Sequence, residues 1–128
     1  MTFLMENSAT YRRLRKEVDE FYKKNLTTGE ISYNQCLTLP FLQAVVKESG
    51  RMHPSIIYQI PRYVPAEGIK IAGYDLPPGT AAGISALSYN RSKEIFGEDS
   101  NTFRPDRWLE DDTRAKQMDS LLAIVISR

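Results

Sequence analysis

Lys47-Glu48-Ser49-Gly50-Arg51-Met52-His53-Pro54 is the stretch on which the reading of this chain turns. Glu48 and Arg51 stand three residues apart, so on a helix their side chains share one face. The residues before them favour that helix. Pro40 falls in its first turn, where a missing N–H costs nothing, and Phe41, Leu42, Val45, Val46 and Met52 form an apolar face. Gly50 inside the helix costs about 1 kcal/mol relative to Ala. Pro54 stops it and pushes His53 towards extended geometry. The pattern predicts a helix over Pro40–His53. Glu48 lies between Val45 and Met52, at the edge of the apolar stripe. An exposed ion pair there is worth little, and a buried one is costly unless further donors satisfy the carboxylate. A second guanidinium can do so bidentately. Arg107, within Phe103-Arg104-Pro105-Asp106-Arg107-Trp108, is the expected third member. Taken alone, Glu48 and Arg51 read as a solvated pair.

Upstream, Tyr11, Leu14, Val18 and Phe21 recur at three- and four-residue steps, with Asn7 placed to cap. This predicts a helix over Asn7–Asn25, its other face solvated by Arg12, Arg13, Arg15, Lys16, Glu17, Asp19 and Glu20. A loop is expected from Thr27 to Leu37, and it holds Cys36. After Pro54 the period changes to two. Ile56, Tyr58 and Ile60 alternate with Ile57 and Gln59, Arg62-Tyr63-Val64 continues extended, and Ile69-Lys70-Ile71 and Tyr74-Asp75-Leu76 read as a hairpin turning near Gly73. Ala81 to Ala86 is a further short strand. One sheet of three or four strands is expected between Ile56 and Ala86, then short helical pieces and irregular chain. The order is α+β.

Composition excludes other classes. Seventeen basic against sixteen acidic residues, a net +1, do not describe a polyanion-seeking protein, and the basic first helix carries interspersed acids without aromatic interleaving, so no nucleic-acid partner is expected. One cysteine and one histidine leave no multi-cysteine or His-rich metal site. No apolar run approaches the length of a membrane span.

The motifs together resemble the cytochromes P-450, the haem-thiolate monooxygenases. Lys47 to Pro54 resembles that family's Glu-x-x-Arg helix, and Phe103 to Trp108 its second arginine motif. Pro61-Arg62, Ala72 to Thr80, Asn90-Arg91-Ser92 and Phe96-Gly97 follow the family's order. Leu39 to Val45 resembles the approach to the Glu-x-x-Arg motif in fungal microsomal members. Asn90 and Ser92 depart from the His and Asp common at those places, and Gly50 from a bulkier residue.

The resemblance implies a part of a mainly helical fold, with residues 1–119 a partial cytochrome P-450 domain and 120–128 a divergent tail. It implies a structural network of Glu48, Arg51 and Arg107 beneath haem. Arg62 is then the contact to a haem propionate, and Ile57, Tyr58, Gln59 and Ile60 line the substrate pocket; the plain alternative for those four is core packing. The family's iron ligand is a cysteine in a glycine-rich loop after the second arginine motif. No cysteine or glycine follows Gly97 here, and Cys36 precedes the Glu-x-x-Arg helix. The expectation is a truncated carboxy-terminal segment, itself inactive, of a family that oxygenates small organic substrates with electrons from NADPH-haemoprotein reductase at the endoplasmic reticulum membrane. The alternative is a non-enzymatic interaction fragment or pseudogene product. Leu121 to Ile126 is charge-free with high β-propensity, which favours aggregation.

Overall fold

The computed structural model describes residues 2–25, 31–57, 59 and 61–126. Helices dominate. Thr2–Glu6 (α1) and Ser8–Asn25 (α2) are followed by the single turn Tyr33–Cys36 (α3) and by Pro40–Met52 (α4). Then come the strands Arg62–Tyr63 (β1), Ile69–Ile71 (β2), Tyr74–Leu76 (β3) and Ala81–Ala82 (β4). Two short helices, Ala86–Tyr89 (α5) and Lys93–Phe96 (α6), a 3-10 turn at Pro105–Trp108 and a last helix, Asp112–Ile126 (α7), complete the order.

The helices α2 and α4 form where the apolar spacing puts them. α4 starts with Pro40 at its head, and its first-turn N–H groups are capped from elsewhere, since Leu39 offers no side-chain cap. Asn7 does not cap α2. Its Nδ2 instead donates back to the Phe3 carbonyl at 2.8 Å, closing the end of α1. The expected loop from Thr27 to Leu37 contains α3, because Ser32 and Gln35 form a reciprocal capping box.

The single sheet expected between Ile56 and Ala86 is two separate antiparallel pairs, β1 with β4 and β2 with β3. The reason lies in the pairing partners. Arg62 sits opposite Ala82 and Tyr63 opposite Ala81, so the β2–β3 hairpin is an excursion between the strands of the other pair. Its two-residue loop, Ala72-Gly73, has φ +50° and +87°, the left-handed pair that a type I′ turn demands. The strand read through Ala86 stops at Ala82, and Ser85 caps α5 by accepting from the Ser88 N–H.

Two apolar clusters flank α4. Ala44, Phe96, Trp108, Met118 and Leu122 form one, and Phe41, Val45, Met52 and Phe103 the other, joined by Phe3, Leu4 and Leu14. Phe3 stacks on Phe103 with centroids 5.3 Å apart. Two residues placed on apolar faces by periodicity lie outside: Val46 and Tyr11 are exposed. The segment read as aggregation-prone, Leu121 to Ile126, is helical, and Met118 and Leu122, four apart on α7, reach the same cluster as Trp108.

Candidate functional site

Glu48 is fully buried and its carboxylate accepts five hydrogen bonds. Oε1 receives Arg51 Nη2 at 2.8 Å, the Arg104 backbone N–H at 2.9 Å and Arg107 Nε at 3.1 Å. Oε2 receives Arg51 Nε at 2.9 Å and Trp108 Nε1 at 3.0 Å. Arg51 reaches Glu48 from the next turn of α4. The other donors come from the 3-10 turn and its approach, where Pro105 fixes the backbone after Arg104.

The guanidinium groups spend their remaining N–H groups on carbonyls. Arg51 Nη1 donates to Asn90 O at 2.7 Å and Ser100 O at 2.6 Å, and its Nη2 to Thr102 O at 3.2 Å. Arg107 donates to Phe96 O at 2.7 Å, Asp99 O at 3.1 Å and Thr102 O at 3.2 Å, and pairs with Asp99 Oδ1 at 3.1 Å. Phe96 faces the Arg51 guanidinium at 5.0 Å. A buried ion pair is tolerable only when its leftover donors and acceptors are met, and these carbonyls meet them.

Burial alone raises the Glu48 pKa. The hydrogen bonds from Arg51 and the Arg104 N–H, with the charges of Arg51 and Arg107, outweigh it and hold the carboxyl below its ordinary value. Asp99 is also lowered: partial desolvation raises it, and Arg107 and Arg104 more than compensate. Arg104 Nε lies 2.6 Å from Asp99 Oδ2, an ion pair without hydrogen-bond alignment.

Three contacts that sequence reasoning missed lock α4 to its neighbours. Glu17, read as a solvated face residue, accepts from the Phe41 N–H at 2.9 Å and the Leu42 N–H at 2.8 Å, so a side chain of α2 caps α4. Arg13 pairs with Asp106 and lies 4.0 Å from the Phe41 ring centre. Lys47 bridges to Asp119 of α7 at 2.9 Å while sitting over Trp108. The acid at position 17, before an uncapped Pro-Phe-Leu helix start, is the one signal that was available for the first; nothing local marks the others.

The structure brings Glu48, Arg51 and Arg107 together and puts Arg62, Ile57 and Gln59 elsewhere. Arg62 is exposed on β1 and makes no ion pair with any described residue. Ile57 and Gln59 are exposed on the segment leading to it, so neither is a core residue. Tyr58 and Ile60 lie outside the described residues. Cys36 is half-buried at the end of α3, and its carbonyl accepts from Gln43 Nε2 at 3.1 Å. Among the described residues no group of three or more His, Cys, Asp or Glu is arranged to hold a metal ion. No helix there is long and apolar enough to cross a membrane.

Comparison with known proteins matches this arrangement to a described family. The family model "Cytochrome P450" matches residues 1–123. The chain belongs to the cytochrome P450 family. A cytochrome P450 monooxygenase of Alternaria alternata, ACRTS1, is 39% identical over 95% of this chain and 32% of its own length. A pisatin demethylase of Fusarium vanettenii is 42% identical over 84% of this chain and 21% of its own. This P450 chain therefore spans a third or less of the length of these curated relatives. A zebrafish cytochrome P450 solved with progesterone superimposes with a TM-score of 0.70 at 19% identity, covering 96% of this chain and 30% of that one. That likeness shows the fold.

P450 monooxygenases are haem proteins, and the residues here suit haem at one point. Arg62 offers an exposed cation with no acidic partner among the described residues, as a propionate requires. For the iron the 128 residues hold one thiol, Cys36, and one imidazole, His53, with no cluster between them. Cys36 precedes α4 and no other thiol is present in the 128 residues, so the residues here do not supply a thiolate from a loop after the second arginine motif.

Proposed function

We propose that this P450 segment is the brace of a haem-thiolate monooxygenase and that the 128 residues by themselves do not oxygenate a substrate. The Glu48 carboxylate carries the reading. It is ionised, saturated by five donors and sealed from solvent. Such a group cannot take up a proton from a reacting molecule; what it can do is hold α4 and the 3-10 turn at one fixed spacing. Rigid support under a cofactor is the use that fits.

Arg62, exposed at the start of β1, binds a haem propionate. Ile57, Tyr58, Gln59 and Ile60 line the pocket of a small organic substrate. The only thiol, Cys36, precedes α4, whereas the family's thiolate loop follows the second arginine motif; Cys36 is not the iron ligand. In an intact monooxygenase of the family, thiolate-bound haem would supply the oxygen activation, with electrons from NADPH-haemoprotein reductase at the endoplasmic reticulum membrane; the residues here would brace that haem, not ligate its iron. Residues 1–119 carry this role and 120–128 diverge from it.

Two measurements test the proposal. With added haem and reductant, the carbon-monoxide difference spectrum of the chain is expected to lack a thiolate band; such a band, abolished by Cys36→Ser, would overturn the reading. In a haem titration, Arg62→Ala is expected to weaken binding about tenfold or more through loss of one charge-assisted hydrogen bond. Unchanged binding would remove Arg62 from the site.

A further inference from the structure

Behind the Arg51 guanidinium two buried polar side chains have no use in the Glu48 cluster. Asn90 is 1% exposed and Ser100 0%. Their backbone carbonyls accept from the same nitrogen, Arg51 Nη1, at 2.7 and 2.6 Å, so the two backbones converge there. Separate elements put them there. Asn90 is the C-cap of α5, and Ser100 closes the turn after α6 with its N–H on the Gly97 carbonyl at 3.0 Å. Yet Asn90 Oδ1 and Ser100 Oγ make no hydrogen bond to any described residue. Polar atoms sealed from solvent are expected to be partnered.

We propose that Asn90 Oδ1 and Ser100 Oγ together hold one buried water molecule beside the Arg51 guanidinium. The chemistry of the place selects the occupant. Asn90 Oδ1 can only accept and the Ser100 hydroxyl can donate or accept, a pairing that a neutral molecule able to do both answers. The Arg51 guanidinium nearby disfavours a cation. A small neutral donor remains. Water donates to Asn90 Oδ1, accepts from the Ser100 hydroxyl and gives its second proton to a carbonyl, within the two to four bonds usual for buried water.

The test combines a melting curve with a crystal structure of the chain. An unpartnered Oγ is a burden, so removing it would raise the melting temperature of Ser100→Ala. An Oγ that holds water is an asset, so Ser100→Ala is expected to melt about 3–5 °C lower. A crystal structure is expected to show a density peak within hydrogen-bond distance of both Asn90 Oδ1 and Ser100 Oγ, lost in Ser100→Ala. A rise in melting temperature, a dry site, or a direct Ser100–Asn90 bond without the peak would each overturn the proposal.

Discussion

Trp108 donates its indole N–H to Glu48 Oε2 at 3.0 Å, joining positions sixty residues apart in the chain. The same ring packs against Ala44, Phe96, Met118 and Leu122. One side chain therefore serves the ionic cluster with its edge and the apolar cluster with its face. Trp108→Phe keeps most of the packing and removes the donor. A hydrogen bond to a charged group contributes about 1.5–3 kcal/mol, and urea unfolding of the variant is expected to lose stability in that range. Loss of less than a few tenths would mean that the other four donors suffice.

Glu48→Gln should be the more damaging change. It leaves two buried guanidinium groups facing a neutral amide, and breaking such a pair costs about 3–5 kcal/mol. Chemical denaturation of the purified variant, or its recovery only as insoluble protein, reads this out.

Acid should act on the same group. Glu48 has a folded pKa below that of the unfolded chain, where a glutamate titrates near about 4.3. The folded state then binds protons less readily. Its stabilisation is fully present above that unfolded value and is lost as pH falls through the lower, folded one. Asp99 is lowered too and adds in the same direction. Stability from urea titrations at a series of pH values is expected to fall on the acid side of about 4, with a shallower fall in Glu48→Gln.

Glu17→Ala removes the cap that α2 provides for α4, leaving the Phe41 and Leu42 N–H groups without a protein acceptor. Loss of a helix cap typically costs about 1 kcal/mol. Asp at the same position is too short to reach both groups, so Glu17→Asp should behave like Glu17→Ala in a thermal melt.

Two positions should accept stabilising changes. A Cβ built on Gly50 meets nothing within 4 Å outside its own helix, so Gly50→Ala is expected to add about 1 kcal/mol. Ala72 sits at φ +50°, a region costing an ordinary residue roughly 1–2 kcal/mol. Ala72→Asn creates the favoured Asn-Gly turn and should raise the melting temperature. An unchanged one would show that β2–β3 folds independently of its turn.

Much of the site was legible because its signals are local. The three-residue step from Glu48 to Arg51 and the apolar spacing around it depend only on helix geometry, and the hairpin centred on Ala72-Gly73 only on turn chemistry. Arg107 was reachable through its motif. The separation of the strands into two pairs was not, because alternation marks an extended segment and says nothing of its partner. Nor was the conformation of residues 121–126 settled by composition, whose β-propensity pointed to aggregation while the segment lies in α7.

What the sequence determined by itself, then, is the helices α2 and α4, the hairpin and the chemistry available at Glu48, Arg51, Arg107 and Arg62. Tertiary structure alone decided how the charges are shared. Glu17 became a cap and Trp108 a donor to a carboxylate sixty residues away. Side chains of such separation meet only after the chain has closed around them. Their value depends on exclusion of water, which no local stretch of sequence can arrange.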